Sequence, residues 1–192
     1  MQESRCRAFF AIPPDAQCLE SLLAIEQSLK LRPWTQHIRW IQSSNLHITL
    51  LFLGDVAFNT LVPVAEHVRA TVSECAFSIS ISHLALFPNA RKPSVVAAVI
   101  ENNKCMERLH KEISTVNDRF GIKKEKRRFR PHLTLGRCKR SFHGVADIQA
   151  DQTPIASLVD QIVLYKSDTL PQGAVYTRLD SIRLKPTGDM SG

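Results

Sequence analysis

Apolar residues recur along the chain with two different periods, and the switches between them mark the elements. Arg5 to Ile12 (RCRAFFAI) reads as a first strand, stopped by Pro13-Pro14-Asp15, where Asp15 suits the N-cap of a helix. Leu19, Leu22, Leu23, Glu26, Leu29 and Lys30 then follow at three-and-four spacing, with basic Lys30 and Arg32 late, and Pro33 ends that helix. Ile38 to Ile41 and Leu46 to Leu53 read as an antiparallel strand pair joined by the polar turn Gln42-Ser43-Ser44-Asn45, with Gly54-Asp55 as the exit. A second helix is expected from Thr60 to Glu74, with Pro63 tolerated in its first turn. Phe77, Ile79 and Ile81 alternate with serines, the mark of a half-buried strand.

Beyond the turn from Pro88 to Pro93, Val95 to Ile100 reads as a strand, and Asn102 or Asn103 caps a helix carrying Met106, Leu109, Ile113, Val116 and Phe120, stopped by Gly121. A strand around His132, a loop from Phe142 to Pro154, two strands near Ile155 to Tyr165 and Val175 to Leu184, and a fraying tail from Pro186 to Gly192 complete the pattern. Strands interspersed with three helices through hairpin-like connections point to an α+β class with mainly antiparallel sheet. The 192 residues, 44% hydrophobic, fit one domain over residues 1–192 or two small, intimately packed lobes. The tetrapeptide H-x-T-L occurs at 47 and again at 132, each copy after a helix and on an expected strand, which points to pseudo-two-fold lobes.

Charge and cysteine content add little. A formal charge of +7 and a pI near 9.4 favour an anionic partner such as nucleic acid. Cys6, Cys18, Cys75, Cys105 and Cys138 are odd in number and without metal-ligand spacing, so reduced, packed thiols are expected, with no structural metal. The apolar run Ala8 to Ile12 is too short for a signal segment or membrane span, and a soluble cytoplasmic protein is expected.

The chemistry lies in the repeated tetrapeptide. On a strand, side chains at i and i+2 share a face, so His47 projects with Thr49 and His132 with Thr134, while Ile48, Leu50, Leu133 and Leu135 turn to apolar packing. One His-x-Thr is ordinary polar packing; a second copy on a like-patterned strand turns the reading toward function. Two such strands side by side surround a small anion with two imidazoles that titrate near neutrality and two neutral hydroxyl donors. One imidazole takes a proton from water, the other gives one to the departing oxygen, and hydroxyls with a nearby arginine hold the non-bridging oxygens, so neither metal nor cofactor is called for.

Lys123, Lys124, Lys126, Arg127, Arg128 and Arg130 form a basic run before the second motif, read either as an electrostatic path for RNA or as a solvated loop. Strand parity puts Arg130 on the face of His132 and Thr134, and puts Arg137 on the opposite face unless Gly136 kinks the strand. Trp34, Trp40, Phe10 and Phe129 are candidates to stack a base, with core packing favoured for Phe10 and Trp40. His37, His67, His83, His110 and His143 lack a paired threonine and are read as surface or helix-face residues.

Arg7-Ala-Phe-Phe-Ala-Ile12, Asn45-Leu-His-Ile-Thr-Leu-Leu-Phe-Leu-Gly54, Phe129-Arg-Pro-His-Leu-Thr-Leu-Gly-Arg137, and Leu164-Tyr-Lys-Ser167 with Gly173 and Tyr176 together resemble the two-histidine phosphoesterase superfamily, and within it the RNA 2′,3′-cyclic phosphodiesterases, also called 2′-5′ RNA ligases. The resemblance implies a bilobal fold, two mainly antiparallel sheets lining a central cleft with helices outside. It implies hydrolysis of RNA 2′,3′-cyclic phosphate ends, such as those of tRNA fragments, to a 2′-phosphate by a metal-independent monomer, with 2′-5′ ligation as a second activity of the same site. It makes His47 the proton donor and His132 the acceptor, has Thr49 and Thr134 contact the phosphate, and makes Arg137 a substrate-binding residue ahead of Arg130. The alternatives are a non-catalytic RNA-binding module, or an enzyme of the same superfamily acting on small cyclic nucleotides or 2′-5′ oligoadenylates.

Overall fold

In the computed structural model, residues 4–125, 127–142, 148, 154–171 and 173–186 are described. The first strand, β1 (Arg5–Ile12), lies where its apolar run placed it, and the Asp15 carboxylate accepts the Cys18 N–H at 2.8 Å to start α1 (Ala16–Lys30). The other oxygen of Asp15 accepts the N–H of Leu158 at 2.6 Å, tying the start of that helix to a strand far along the chain. Pro33 ends the helix as expected, opening a short 3-10 turn.

After it come β2 (Ile38–Trp40), β3 (Ile48–Ala57), α2 (Leu61–Thr71), β4 (Phe77–Phe87), β5 (Val95–Ile100), α3 (Lys104–Arg119), β6 (His132–Cys138), β7 (Ile155–Val159), β8 (Gln161–Leu170) and β9 (Gly173–Arg183). Asn103 caps α3, accepting the Met106 N–H at 3.0 Å. Three expectations are corrected. β2 and β3 are not a hairpin: β2 pairs antiparallel with β6, because its Ile38 and Trp40 find their neighbours in Cys138 and Gly136. Gly54-Asp55 does not end β3; Gly54 takes φ +74° within the strand and the ladder to β1 runs on to Ala57. The stretch from Ile155 to Tyr165 is two strands, broken at Asp160, rather than one. Most of the loop from Phe142 to Pro154, the tail beyond Pro186, Lys126 and His143 lie outside the described residues.

The strands form one sheet in the order β7-β4-β5-β6-β3-β1-β8-β9, with β2 also on β6, and every pairing between these strands is antiparallel. The expected pair of sheets takes the form of two four-strand arms, β3-β1-β8-β9 and β6-β5-β4-β7, joined between β3 and β6 at the residue pair Ile48–Leu133. The two motif strands therefore stand at the seam. Helices cross it: α1 leaves β1 of one arm and packs against β7 of the other, while α3 leaves β5 and packs against β3.

Ile48 is 1% exposed and Leu133 is fully buried, so both enter the core, and burying each stabilises the fold by roughly 1.5–3 kcal/mol. A one-residue slip of either strand would exchange these side chains with the neighbouring histidine, so the apolar pattern holds the register of both motifs. No helix among the described residues is long and apolar enough to cross a membrane.

Candidate active site

The bridge between the two motif strands is the single pair Ile48–Leu133, so His47 and Thr49 flank it on one side of the seam and His132 and Thr134 on the other, all four on the face away from the core. All four are half-buried.

The two imidazoles are anchored in the same way. His47 Nδ1 lies 2.7 Å from the carbonyl oxygen of Asn45 and His132 Nδ1 lies 2.8 Å from that of Arg130, in both cases the residue two positions upstream. A carbonyl only accepts, so each Nδ1 carries a hydrogen and each Nε2 is the nitrogen left to exchange a proton. His47 Nε2 lies 3.1 Å from Thr49 Oγ1, whose hydroxyl donates to it when the ring is neutral.

The surroundings of the two rings differ. His47 sits among Phe9, with centroids 4.9 Å apart, and Tyr176, edge-on at 5.2 Å, with Tyr165 stacked on the Phe9 ring at 5.4 Å. Burial in this cup pushes the His47 pKa down from 6.5; the Asn45 hydrogen bond opposes the shift, and the charges of His132 and Arg137 add to it. His132 instead stacks on Phe87, 4.9 Å between centroids and 19° between planes.

Arg137 reaches the site through a bulge. Thr134 pairs with Ala97 on β5, Gly136 with Val96 and Arg137 with Val95, so Leu135 is an extra residue and Arg137 returns to the face of Thr134. The parity that set Arg137 on the opposite face is overturned by that one inserted position. Arg39 on β2 lies directly opposite Arg137, and both are exposed. Two facing cations with no ion pair among the described residues repel one another unless an anion lies between them. Arg130 precedes β6, and its guanidinium lies 4.8 Å from the centre of the Phe87 ring.

Of the aromatic candidates, Phe10 is fully buried, Trp34 packs against Phe142, Trp40 lies under the Lys30 ammonium, and Phe129 stacks on His110. His110 takes the helix-face role: it is half-buried on α3, and its Nδ1 donates to the Leu50 carbonyl oxygen of β3 at 3.0 Å. Sequence reasoning missed Phe9 and Phe87 as neighbours of the histidines and Arg39 as the neighbour of Arg137. Phe9 carried a signal, since it shares the outer face of β1 with Arg7; Arg39 depends on which strand pairs with β6, and Phe87 on β4 lying one strand beyond β5.

Residues 25–170 match the model of the 2′-5′ RNA ligase superfamily. The chain is 30% identical to the RNA 2′,3′-cyclic phosphodiesterase of Methanothermobacter thermautotrophicus over 94% of this chain and 100% of the relative. It is 31% identical to that of Archaeoglobus fulgidus over 90% and 97%. The crystal structure of E. coli LigT complexed with 3′-AMP aligns with a TM-score of 0.78 at 23% identity, covering 94% of this chain and 99% of that one. The same protein complexed with phosphate gives 0.73 at 22%, covering 96% and 99%. At these identities the structural likeness speaks to the fold.

Proposed function

Because the chain belongs to the 2′-5′ RNA ligase superfamily, we propose that it is an RNA 2′,3′-cyclic phosphodiesterase, opening the cyclic phosphate at an RNA 3′ end to leave a 2′-phosphomonoester. The observation that carries this reading is the mirrored placement of His47 with Thr49 and His132 with Thr134 about the Ile48–Leu133 pair, each ring held by a carbonyl two residues upstream. An acid and a base on opposite sides of one small anion are what in-line displacement at phosphorus needs.

In this reading neutral His132 takes a proton from water as its oxygen bonds to phosphorus. The bond from phosphorus to the 3′ oxygen breaks, and His47 Nε2 delivers a proton to that oxygen. The Thr49 and Thr134 hydroxyls donate to non-bridging oxygens, and Arg137, with Arg39 opposite it, offsets the charge that develops on them. Turnover leaves His47 neutral and His132 protonated, and exchange with solvent resets the pair. The donor role of His47 rests on the family resemblance, and it needs the substrate's help: burial and the nearby Arg137 cation oppose its protonation in the free site, and a bound phosphate anion offsets that cation.

Residues 1–192 act, in the same reading, as one domain of two intertwined lobes, a cytoplasmic monomer whose substrates are RNA fragments with cyclic ends, tRNA fragments among them. The crossing of α1 to β7 and of α3 to β3 supports the intertwining.

The test is to incubate an RNA oligomer ending in a 2′,3′-cyclic phosphate with the protein and excess chelator. An oligomer ending in a 2′-phosphate is expected. An unchanged cyclic end, or a 3′-phosphate, contradicts the reading.

A further inference from the structure

Past the Ile48–Leu133 pair, β3 and the chain entering β6 separate, and α3 lies beside the space between them. A groove of about 580 Å³ opens there, beginning at Thr49 and His132 and running between residues 49–52, residues 127–130 and α3. Its size falls within the roughly 300–1,000 Å³ of sites that hold small organic ligands. The two-histidine chemistry uses the mouth of this groove and none of its length.

We propose that the groove is a subsite for the nucleotide preceding the cyclised one, with its base against Phe129 and its connecting phosphodiester beside Arg128 and Arg130; this rests on the phosphodiesterase reading above. Two observations carry it.

The first is a fixed aromatic wall. Phe129 and His110 stack at 3.9 Å with 5° between their planes, and the His110 Nδ1–H bond to Leu50 holds the pair on β3. Ordered before substrate arrives, such a surface binds a base with little entropic cost and little sequence preference.

The second is charge. Among the cations lining the groove, Lys124 is paired with Asp118 and Arg127 with Glu125, whereas Lys111, Arg128 and Arg130 enter no ion pair among the described residues. These three suit the phosphodiester of a polyanion that continues away from the site.

The experiment compares kcat/KM for adenosine 2′,3′-cyclic phosphate with that for two dinucleotides ending in the same group, one with adenosine and one with uridine first. The wild-type protein is expected to favour the adenosine dinucleotide over the mononucleotide by about 10- to 100-fold, the worth of one stacked base. The uridine dinucleotide should gain less. In Phe129→Ala and, separately, in the exposed-site variant Arg128→Gln, the ratio of dinucleotide to mononucleotide should fall toward one, and because it is a ratio within one preparation, loss of folded protein does not imitate the effect. A wild-type ratio near one, or a ratio unchanged in both variants, overturns the subsite. No turnover of any of the three substrates overturns the phosphodiesterase reading, and the subsite with it.

Discussion

Thr134 and Arg137 lie three residues apart on β6 and still project from one face, because Leu135 is an extra residue against β5. The bulge carries a cation to the side of the second threonine, where a strictly alternating strand would point it away. Gly136 makes the arrangement fit: a Cβ there would overlap Ile38 Cγ2 on the adjoining β2 and crowd the Trp40 ring at 3.3 Å. The close approach of β2 in turn sets Arg39 opposite Arg137.

Gly136→Ala is therefore expected to push β2 from β6, lowering stability by about 1–3 kcal/mol as overpacked sites do, and to lower kcat/KM by displacing both arginines. Arg137→Ala leaves the packing alone, since Arg137 is exposed, and should lower kcat by about 10²–10³-fold with little change in Tm. Thermal unfolding and steady-state kinetics on the two variants separate the packing effect from the charge effect. An Arg137→Ala enzyme with unchanged kcat would remove Arg137 from the site.

His47 should titrate below 6.5 in the free protein, because burial and the charges of His132 and Arg137 disfavour its cation. Adenosine 2′-monophosphate, a product analogue, places a phosphate dianion beside it and should move its titration upward. The imidazole C–H signals of His47, followed by NMR across pH with and without the nucleotide, read this directly. A His47 titration unmoved by saturating nucleotide would contradict its contact with phosphate.

Acid should destabilise the fold earlier than its carboxylates alone require. His47 and His110 are both held below 6.5 by burial, so the unfolded chain binds protons near 6.5 that the folded chain refuses. Their contribution is fully present above about pH 6.5 and is lost as pH falls through and below it. The fall in Tm between pH 7.5 and pH 5 should be smaller in His110→Gln, which keeps a donor for the Leu50 carbonyl and no longer titrates. An equal fall in both proteins would show that His110 is not depressed.

What the sequence disclosed follows from the range over which each cause acts. Asp15 and Asn103 cap their helices through atoms three residues away, and the i, i+2 alternation that pairs His47 with Thr49 is a property of any strand, so both were legible. The seam at Ile48–Leu133 joins residues 85 positions apart, and the pairing of β2 with β6 spans 100, from Ile38 to Cys138. Local pattern cannot specify partners at that distance, so sequence alone pairs β2 with its nearest neighbour β3 and leaves the Arg39–Arg137 pair unseen. The bulge at Leu135 was hidden for a related reason: an inserted residue shows only against the partner strand that skips it. Gly136 marked the place without disclosing the consequence.

The central claim is that His47 and His132 act as one acid–base pair on a 2′,3′-cyclic phosphate. It is tested most directly by kcat/KM for a cyclic-ended RNA oligomer with His47→Ala, His132→Ala and the double variant, each checked for native unfolding. Each single substitution should cost about 10²–10⁴-fold. The double variant should be little worse than the poorer single, since half of a proton-transfer pair accomplishes little alone. A near-wild-type rate in either single variant, or losses that multiply fully in the double, would contradict it.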